Sequence, residues 1–234
     1  MMVNTVAANL KSLQQQIQLS LERFQRPPNS VTLVAVTKTI SCLAIQQAIA
    51  AGQTHFGENY VQEAISKISI LNNPNLTWHF IGPIQANKTK EIAQHFTWVH
   101  SVCRAKIAER LNAQRPEHLA PLNVCIQINI DDEPQKAGIH LDELNQLASV
   151  IATLPRLKLR GLMSIPKPHT TFQQQRQPYA ALREELQKLQ AQGFAVDTLS
   201  MGMSHDWEAA IAEGATLIRI GTAIFGERLS ISAG

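Results

Sequence analysis

The sequence predicts an α/β protein, a single closed (β/α)₈ barrel of the TIM type with an extra N-terminal helix. First, short apolar strands alternate with amphipathic helices eight times within about 200 residues, which fits a closed barrel better than an open doubly wound sheet. Second, this alternation implies parallel strands with right-handed crossovers. Third, the segment 122–130 is apolar on one face and polar on the other. We expect helices to cover the apolar face, leaving Gln127 and Asn129 in a polar barrel mouth.

The first element is a leading helix within residues 1–28. Its apolar residues fall on one helical face, and the prolines of RPPNS cannot continue the helix. The barrel is expected over 31–226. At 234 residues the chain is long enough for one sizeable core, so we treat 1–234 as a single domain.

The repeating unit is a strand followed by a helix. Ser41 is a plausible N-cap of the first barrel helix, and Gly52 a plausible stop. In order, the eight pairs are VTLVAVTK and SCLAIQQAIAAG, THFGEN and YVQEAISKISIL, TWHFIGPI and NKTKEIAQHF, TWVHSVC and RAKIAERLNAQ, LNVCIQINI and HLDELNQLASVIATL, LKLRGLMSI and YAALREELQKLQAQG, TLSMGMS and DWEAAIAEG, and TLIRIG and TAIFGERL.

Composition argues against several classes of protein. A net charge of +3 with scattered basic residues offers no stripe for a phosphate backbone, so nucleic acid is not an expected partner. Cys42, Cys103 and Cys125 are few, odd in number and far apart, which indicates a reducing compartment and neither a disulfide framework nor a metal site. No long apolar run or signal-like N-terminus is present. We therefore expect a cytoplasmic protein without a membrane partner.

The carboxyl ends of barrel strands are where the chemistry of this fold gathers. Lys38 ends the first strand, and its period-2 partners Val34 and Val36 place its stem on the inner face. Because desolvation lowers the pKa of an ammonium group, Lys38 is a candidate Schiff-base nucleophile. The alternative is a lysine that reaches solvent or pairs with a neighbouring carboxylate.

Small-residue turns follow the last two strands. Gly221 and Thr222 open a short final helix and could offer backbone N–H groups and a hydroxyl to a phosphate, and Ser204 lies in a second such turn. Alternatively, Gly221 serves only the turn and Ser204 only caps its helix.

Arg219 alternates with apolar neighbours and is expected to project toward the barrel axis. A permanently charged guanidinium there could hold a ring nitrogen or an oxyanion. The structural alternative is an internal salt bridge with Glu58 or Asp206.

Several motifs together resemble the YggS/PROSC family of pyridoxal 5′-phosphate (PLP) homeostasis proteins. They are VAVTK, FGENYVQEA, WHFIGPIQANK, GLMSIP and LSMGMSHDWEAAIAEGATLIRIGTAIFG. The resemblance runs from about residue 31 to 226. It implies a fold-type III PLP-binding barrel, similar to the N-terminal domain of alanine racemase.

The resemblance also implies roles for individual residues. Lys38 would form the aldimine with PLP, and Arg219 would face the pyridine nitrogen. Asn59 would lie near the lysine and the ring, and Met163 would line the ring pocket. Two positions, Pro83 and Ser164, depart from many family members without touching the lysine or phosphate motifs. The phosphate group would be bound by Ser204, Gly221 and Thr222.

The function implied is PLP (vitamin B6) homeostasis with an influence on amino-acid and keto-acid balance, without efficient catalysis and with no catalytic residue assigned. Arg219 cannot keep the pyridine nitrogen protonated, and Tyr60 and Tyr179 are the only tyrosines that could act as a second acid or base. Tyr60 adjoins Asn59, whereas Tyr179 lies in a helix where packing is the better interpretation. The Asn59 side chain could itself be a helix N-cap.

The expected protein is a monomer whose partners are PLP and, transiently, PLP-dependent apoenzymes. One alternative is a slow PLP-dependent amino-acid racemase. Another is a sugar-phosphate enzyme in which Lys38 reacts with a substrate carbonyl. The second domain through which alanine racemase dimers complete their site is not expected here.

Overall fold

The computed structural model describes residues 5–133 and 136–226, and its centre is a closed barrel of eight parallel strands in sequence order. This confirms the predicted (β/α)₈ fold. The strands are β1 Thr32–Val36, β2 His55–Glu58, β3 Thr77–Phe80, β4 Trp98–Val102, β5 Leu122–Ile128, β6 Leu157–Ser164, β7 Thr198–Ser200 and β8 Leu217–Ile220.

Helices surround the barrel and cover the apolar outer faces of the strands. Ser41 caps the first barrel helix by accepting a bond from Ala44, and Gly52 follows its end with a φ of +92°, as predicted. The α-helices are α1 Val6–Arg23, α2 Cys42–Ala50, α3 Val61–Leu71, α4 Thr89–His95, α5 Ala105–Gln114, α6 Leu144–Ala152, α7 Phe172–Ala191, α8 Trp207–Ala212 and α9 Thr222–Phe225, with 3₁₀ turns at Ala86–Lys88 and Leu141–Glu143.

The leading helix α1 docks on the barrel. Its buried side chains Leu10, Leu13, Ile17 and Leu21 belong to the common hydrophobic core. Two polar side chains fix its orientation: Asn9 donates to the carbonyl of Ile224 at 3.0 Å, and Arg26 donates to two carbonyls in and after α8. The helix is therefore part of the same packed unit as the barrel.

Two boundaries differ from the sequence prediction. The strand expected to run through Lys38 ends at Val36, because Thr37 starts a turn in which Thr39 takes a φ of +62°. The sixth barrel helix, expected to begin at Tyr179, begins instead at Phe172 and contains Pro178. A proline removes one backbone hydrogen bond without preventing a helix from continuing past it.

Within the described ranges, no helix is both long and apolar enough to cross a membrane.

Candidate functional site

Lys38 sits in a tight turn just beyond the carboxyl end of β1. The backbone N–H of Thr37 donates to Gly57 at 2.9 Å, and Ile40 closes the turn by donating to Thr37 at 3.0 Å. On the other side of β1, Ala35 pairs with Ile220 of β8. Lys38 is half-buried at this end of the barrel.

A buried lysine of α3 holds the residues on either side of Lys38. The Lys67 amine donates to the Thr37 carbonyl at 2.6 Å, to Glu58 Oε1 at 2.7 Å and to Glu63 Oε1 at 2.6 Å. Those three bonds match the three protons of an ammonium group. Glu63 also accepts the backbone N–H of Thr39 at 2.6 Å. Hence the segment containing Lys38 is fixed both before and after that residue.

We call the contacts that Lys67, Glu58 and Glu63 make around Lys38 the clamp. Glu58 belongs to this clamp and not to the barrel interior. Its side chain is fully buried beside Lys67 and accepts the Thr37 hydroxyl at 2.6 Å. Burial raises the pKa of Glu58, while the hydrogen bonds from Lys67 and Thr37 oppose that shift. These contacts were not predicted from the sequence. The only local signal was the Glu63–Lys67 spacing of four residues on one helix.

Arg219 occupies the barrel interior, one residue before the end of β8, with 3% of its surface exposed. It donates to the Ser200 hydroxyl at 2.6 Å and to the Ser164 carbonyl at 2.9 Å. No carboxylate among the described residues lies within ion-pair distance of it. Desolvation lowers the pKa of Arg219, but a guanidinium remains cationic. The site therefore holds a buried positive charge bonded to neutral acceptors.

The salt-bridge alternative for Arg219 is wrong. Glu58 pairs with Lys67, and Asp206 accepts hydrogen bonds from the Tyr179 hydroxyl and the Met203 backbone, each at 2.7 Å.

The turns after β7 and β8 lie side by side. The backbone N–H of Arg219 donates to the Gly202 carbonyl at 3.0 Å, which joins the MGMS turn to the last strand. Gly202 has a φ of +93°, and a Cβ there would lie 2.6 Å from the Ala210 Cβ, so the position requires glycine.

Ser204 does not cap α8, whose N-cap is Asp206, so the capping alternative is wrong. Gly221 is the residue before α9, followed by an exposed Thr222.

Buried polar atoms without partners mark the mouth of the barrel. Within the described part of the chain, Asn59 Oδ1 and Ser164 Oγ are buried and accept no hydrogen bond. Asn59 is not the N-cap of α3, which is Tyr60, so that alternative for Asn59 is also wrong. A Cβ on Gly82 would lie 2.2 Å from the Asn59 carbonyl, so this close approach positions Asn59. Buried polar groups normally have a hydrogen-bond partner, so these two unpartnered oxygens fit a site that binds a polar ligand.

A cavity of about 300 Å³ lies beside Asn59, which is the one predicted cofactor-binding residue in its described lining. Met163 is fully buried on β6, where it pairs with Gln127 of β5 and Ser200 of β7. Of the seven cofactor-binding residues predicted from the sequence, six lie at or within two residues of the carboxyl end of a strand, and Ser204 lies four residues past the end of β7. The cavity is lined by Asn59, Ile81, Pro83, Gln127, Lys136, Ala137 and Ile165.

Comparison with known proteins agrees with this architecture. Residues 8–229 match the family model described as alanine racemase, N-terminal domain. An alanine racemase from Corynebacterium glutamicum shares the fold at 15% identity, with a TM-score of 0.67, and this chain covers 62% of it.

More similar relatives match this chain over nearly their whole length. The pyridoxal phosphate homeostasis protein of Escherichia coli K12 is 50% identical over 97% of this chain and 98% of its own length. That of Pseudomonas aeruginosa is 50% identical over 97% of each chain. The structure of PipY from Synechococcus elongatus PCC7942 with PLP bound is 40% identical, with a TM-score of 0.82, and covers 95% of this chain and 100% of PipY. The chain therefore belongs to the pyridoxal phosphate homeostasis protein family, the YggS/PROSC relatives of the alanine racemase N-terminal domain.

Proposed function

We propose that this chain binds PLP at the carboxyl end of its barrel and functions in PLP homeostasis. The observation that carries the proposal is the buried Arg219 cation, which has no described carboxylate within ion-pair distance, inside the same barrel end at which the half-buried Lys38 sits. PLP would bring to that place a pyridine nitrogen that can accept a hydrogen bond from Arg219 and an aldehyde that can react with Lys38. The PLP-bound relative PipY supports the choice of ligand.

The residue at the centre of the proposal is Lys38. Its amine would add to the PLP aldehyde with loss of one water molecule, giving a Schiff base. The clamp made by Lys67 and Glu63 would keep the backbone of Lys38 in place, so that binding costs little reorganisation.

The other predicted residues have groups suited to the rest of the cofactor. Arg219 uses two of its five N–H donors in the described bonds and has others for the pyridine nitrogen. Asn59, with its unpartnered oxygen, and the buried Met163 would flank the ring. For the phosphate group we propose Ser204, Gly221 and Thr222.

Two features argue against efficient turnover. PLP supplies an electron sink when it is bound, and an acidic partner at the pyridine nitrogen strengthens that sink, which a cationic donor such as Arg219 does not do. Racemisation needs an acid or base on each face of the substrate. Tyr179 is buried and donates to Asp206, and burial raises the pKa of its phenol. Tyr60, 58% exposed, is left as the only tyrosine near the mouth.

We further propose that the protein works as a cytoplasmic monomer that holds PLP reversibly and passes it to apoenzymes. The three cysteines are free thiols, in keeping with a reducing compartment.

The test is to titrate the ligand-free protein with PLP and then expose the loaded protein to single L-amino acids in deuterium oxide. We expect a saturable change in the visible absorbance of PLP and only slow exchange of the α-proton. Failure to bind PLP would contradict the whole proposal. Rapid exchange with formation of D-amino acid would contradict the non-catalytic part and favour the racemase.

A further inference from the structure

A continuous chain of polar side chains crosses the barrel interior and ends on Arg219. His55 Nδ1 lies 2.9 Å from His79 Nε2, and His79 Nδ1 lies 2.9 Å from His100 Nε2. His100 Nδ1 lies 2.7 Å from the Ser200 hydroxyl, which accepts a bond from Arg219 at 2.6 Å. The four strands β2, β3, β4 and β7 each contribute an inward-facing residue, and β8 supplies the arginine.

The chain runs from the edge of the barrel to its centre. His79, His100 and Ser200 are fully buried, whereas His55, at the start of β2, is half-buried. His55 lines a cavity of about 390 Å³ between α1 and the amino ends of the first strands. Barrel interiors are ordinarily filled by branched apolar side chains. Three histidines here require an explanation that packing does not give.

The direction of the hydrogen bonds is fixed at the arginine end. A guanidinium can only donate, so the Ser200 oxygen accepts from Arg219. Within the described residues, the one acceptor in reach of the Ser200 proton is His100 Nδ1. The reverse direction would have His100 Nδ1 donate to Ser200 and would leave a fully buried hydroxyl proton without an acceptor, which native structures avoid.

The same reasoning fixes each imidazole in turn. Because His100 Nδ1 accepts, a neutral His100 carries its proton on Nε2 and donates it to His79 Nδ1. His79 in turn donates from Nε2 to His55 Nδ1. A second proton on His55 or His79 would place two protons between neighbouring ring nitrogens, and a second proton on His100 would face the Ser200 hydroxyl proton. Burial and the charge of Arg219 lower the pKa of His100 to about 3, and burial beside the other two rings lowers that of His79.

We propose that His55, His79, His100 and Ser200 form a one-way hydrogen-bond relay that positions the Arg219 guanidinium for its ligand. All three rings are neutral and share one tautomer, with the proton on Nε2. The relay is not a metal site, since no described cluster of potential ligands could hold an ion. It does not deliver protons to the mouth either, because the arginine would have to give up its own.

The first test needs no ligand. We expect long-range ¹H–¹⁵N NMR of the ¹⁵N-histidine-labelled, ligand-free full chain at pH 7.5 to show three rings with unprotonated Nδ1 and protonated Nε2. A protonated Nδ1 on His79 or His100 would overturn the relay, even in a protein that folds and binds PLP normally.

The second test removes one hydroxyl. Ser200→Ala takes away the donor to His100 Nδ1, so we expect the His100 ring to populate both tautomers. The matched control is Ser101→Ala, another buried serine, whose hydroxyl donates to the Gly82 carbonyl outside the relay. That variant should leave all three tautomers unchanged. An unchanged His100 tautomer in Ser200→Ala would contradict the proposed direction.

A third measurement rests on the proposed PLP site. Ser200→Ala should weaken PLP binding by about tenfold and shift the absorbance of the bound cofactor, whereas Ser149→Ala, which removes a hydroxyl on the outer helix α6, should do neither. If the wild type failed to bind PLP, the proposed function would fall while the tautomer result stood. If PLP bound with the same affinity and spectrum in Ser200→Ala, the relay's positioning role would be wrong and the proposed function would stand.

Discussion

The amine of Lys67 lies 2.6 Å from the carbonyl oxygen of Thr37, the residue directly before Lys38. The same amine is bonded to Glu58 and Glu63, and its side chain is almost fully buried. One lysine of α3 thus sets the backbone position of another lysine on the barrel rim.

Replacing Lys67 with methionine should destabilise the protein strongly. The change keeps the length of the side chain and leaves the buried Glu58 carboxylate without its cation. Removing one partner of a buried ion pair costs about 3–5 kcal/mol. The free energy of unfolding from urea titrations measures this. The matched control is Lys88→Met, which breaks a half-exposed pair with Glu91 and should cost at most about 1 kcal/mol. Equal losses in the two variants would contradict the clamp.

Replacing Glu63 with alanine should weaken PLP binding more than it weakens folding. The change frees the backbone N–H of Thr39, directly after Lys38, while the Lys67–Glu58 pair persists. If the PLP-bound protein loses about 1.4 kcal/mol of stabilisation relative to the free protein, the Kd for PLP rises roughly tenfold. Glu91→Ala is the control, because Glu91 is similarly exposed and pairs with a lysine on a neighbouring helix turn. An unchanged Kd in Glu63→Ala would show that the turn does not need this bond.

Acid should destabilise the fold through the buried histidines. Burial lowers the pKa of His100 to about 3, against roughly 6.5 in an unfolded chain. Between those two values the unfolded state binds a proton that the folded state does not. The free energy of unfolding therefore falls as the pH drops below about 6.5, by up to about 1.4 kcal/mol per pH unit for each such histidine, and this contribution is constant above pH 7. The pKa of His79 is lowered as well, which adds to the slope.

Urea unfolding between pH 7.5 and 5 measures that slope. His100→Gln should make it shallower by about one proton, whereas His118→Gln, at an exposed position, should not change it. A slope that is identical in His100→Gln and the wild type would contradict the account of the buried rings.

Most of the fold could be predicted from the sequence, because the spacing of apolar residues at periods of two and 3.6 is a local property of the chain. It also singled out Lys38, since a lysine ending an apolar β-branched strand is conspicuous without any structure. It placed Arg219 toward the barrel axis for the same periodic reason. These predictions needed only neighbouring residues.

Contacts between distant residues were missed. His100 and Ser200 are a hundred residues apart in the chain, yet His100 Nδ1 lies 2.7 Å from the Ser200 hydroxyl in the barrel. The local sequence around either residue does not predict this contact. The cap interpretations of Asn59 and Ser204 were wrong because each helix begins later than its cap pattern suggested. Boundaries of this kind depend on where the turn closes, which tertiary contacts decide.

Borohydride reduction followed by peptide mass spectrometry tests most directly whether Lys38 holds the cofactor. The PLP-loaded wild type should carry one reduced phosphopyridoxyl adduct on the peptide that contains Lys38. Lys38→Ala should lose that adduct, while Lys90→Ala, which changes an exposed lysine of α4, should keep it. An adduct that maps to another lysine in the wild type, or that persists undiminished in Lys38→Ala, would contradict the account.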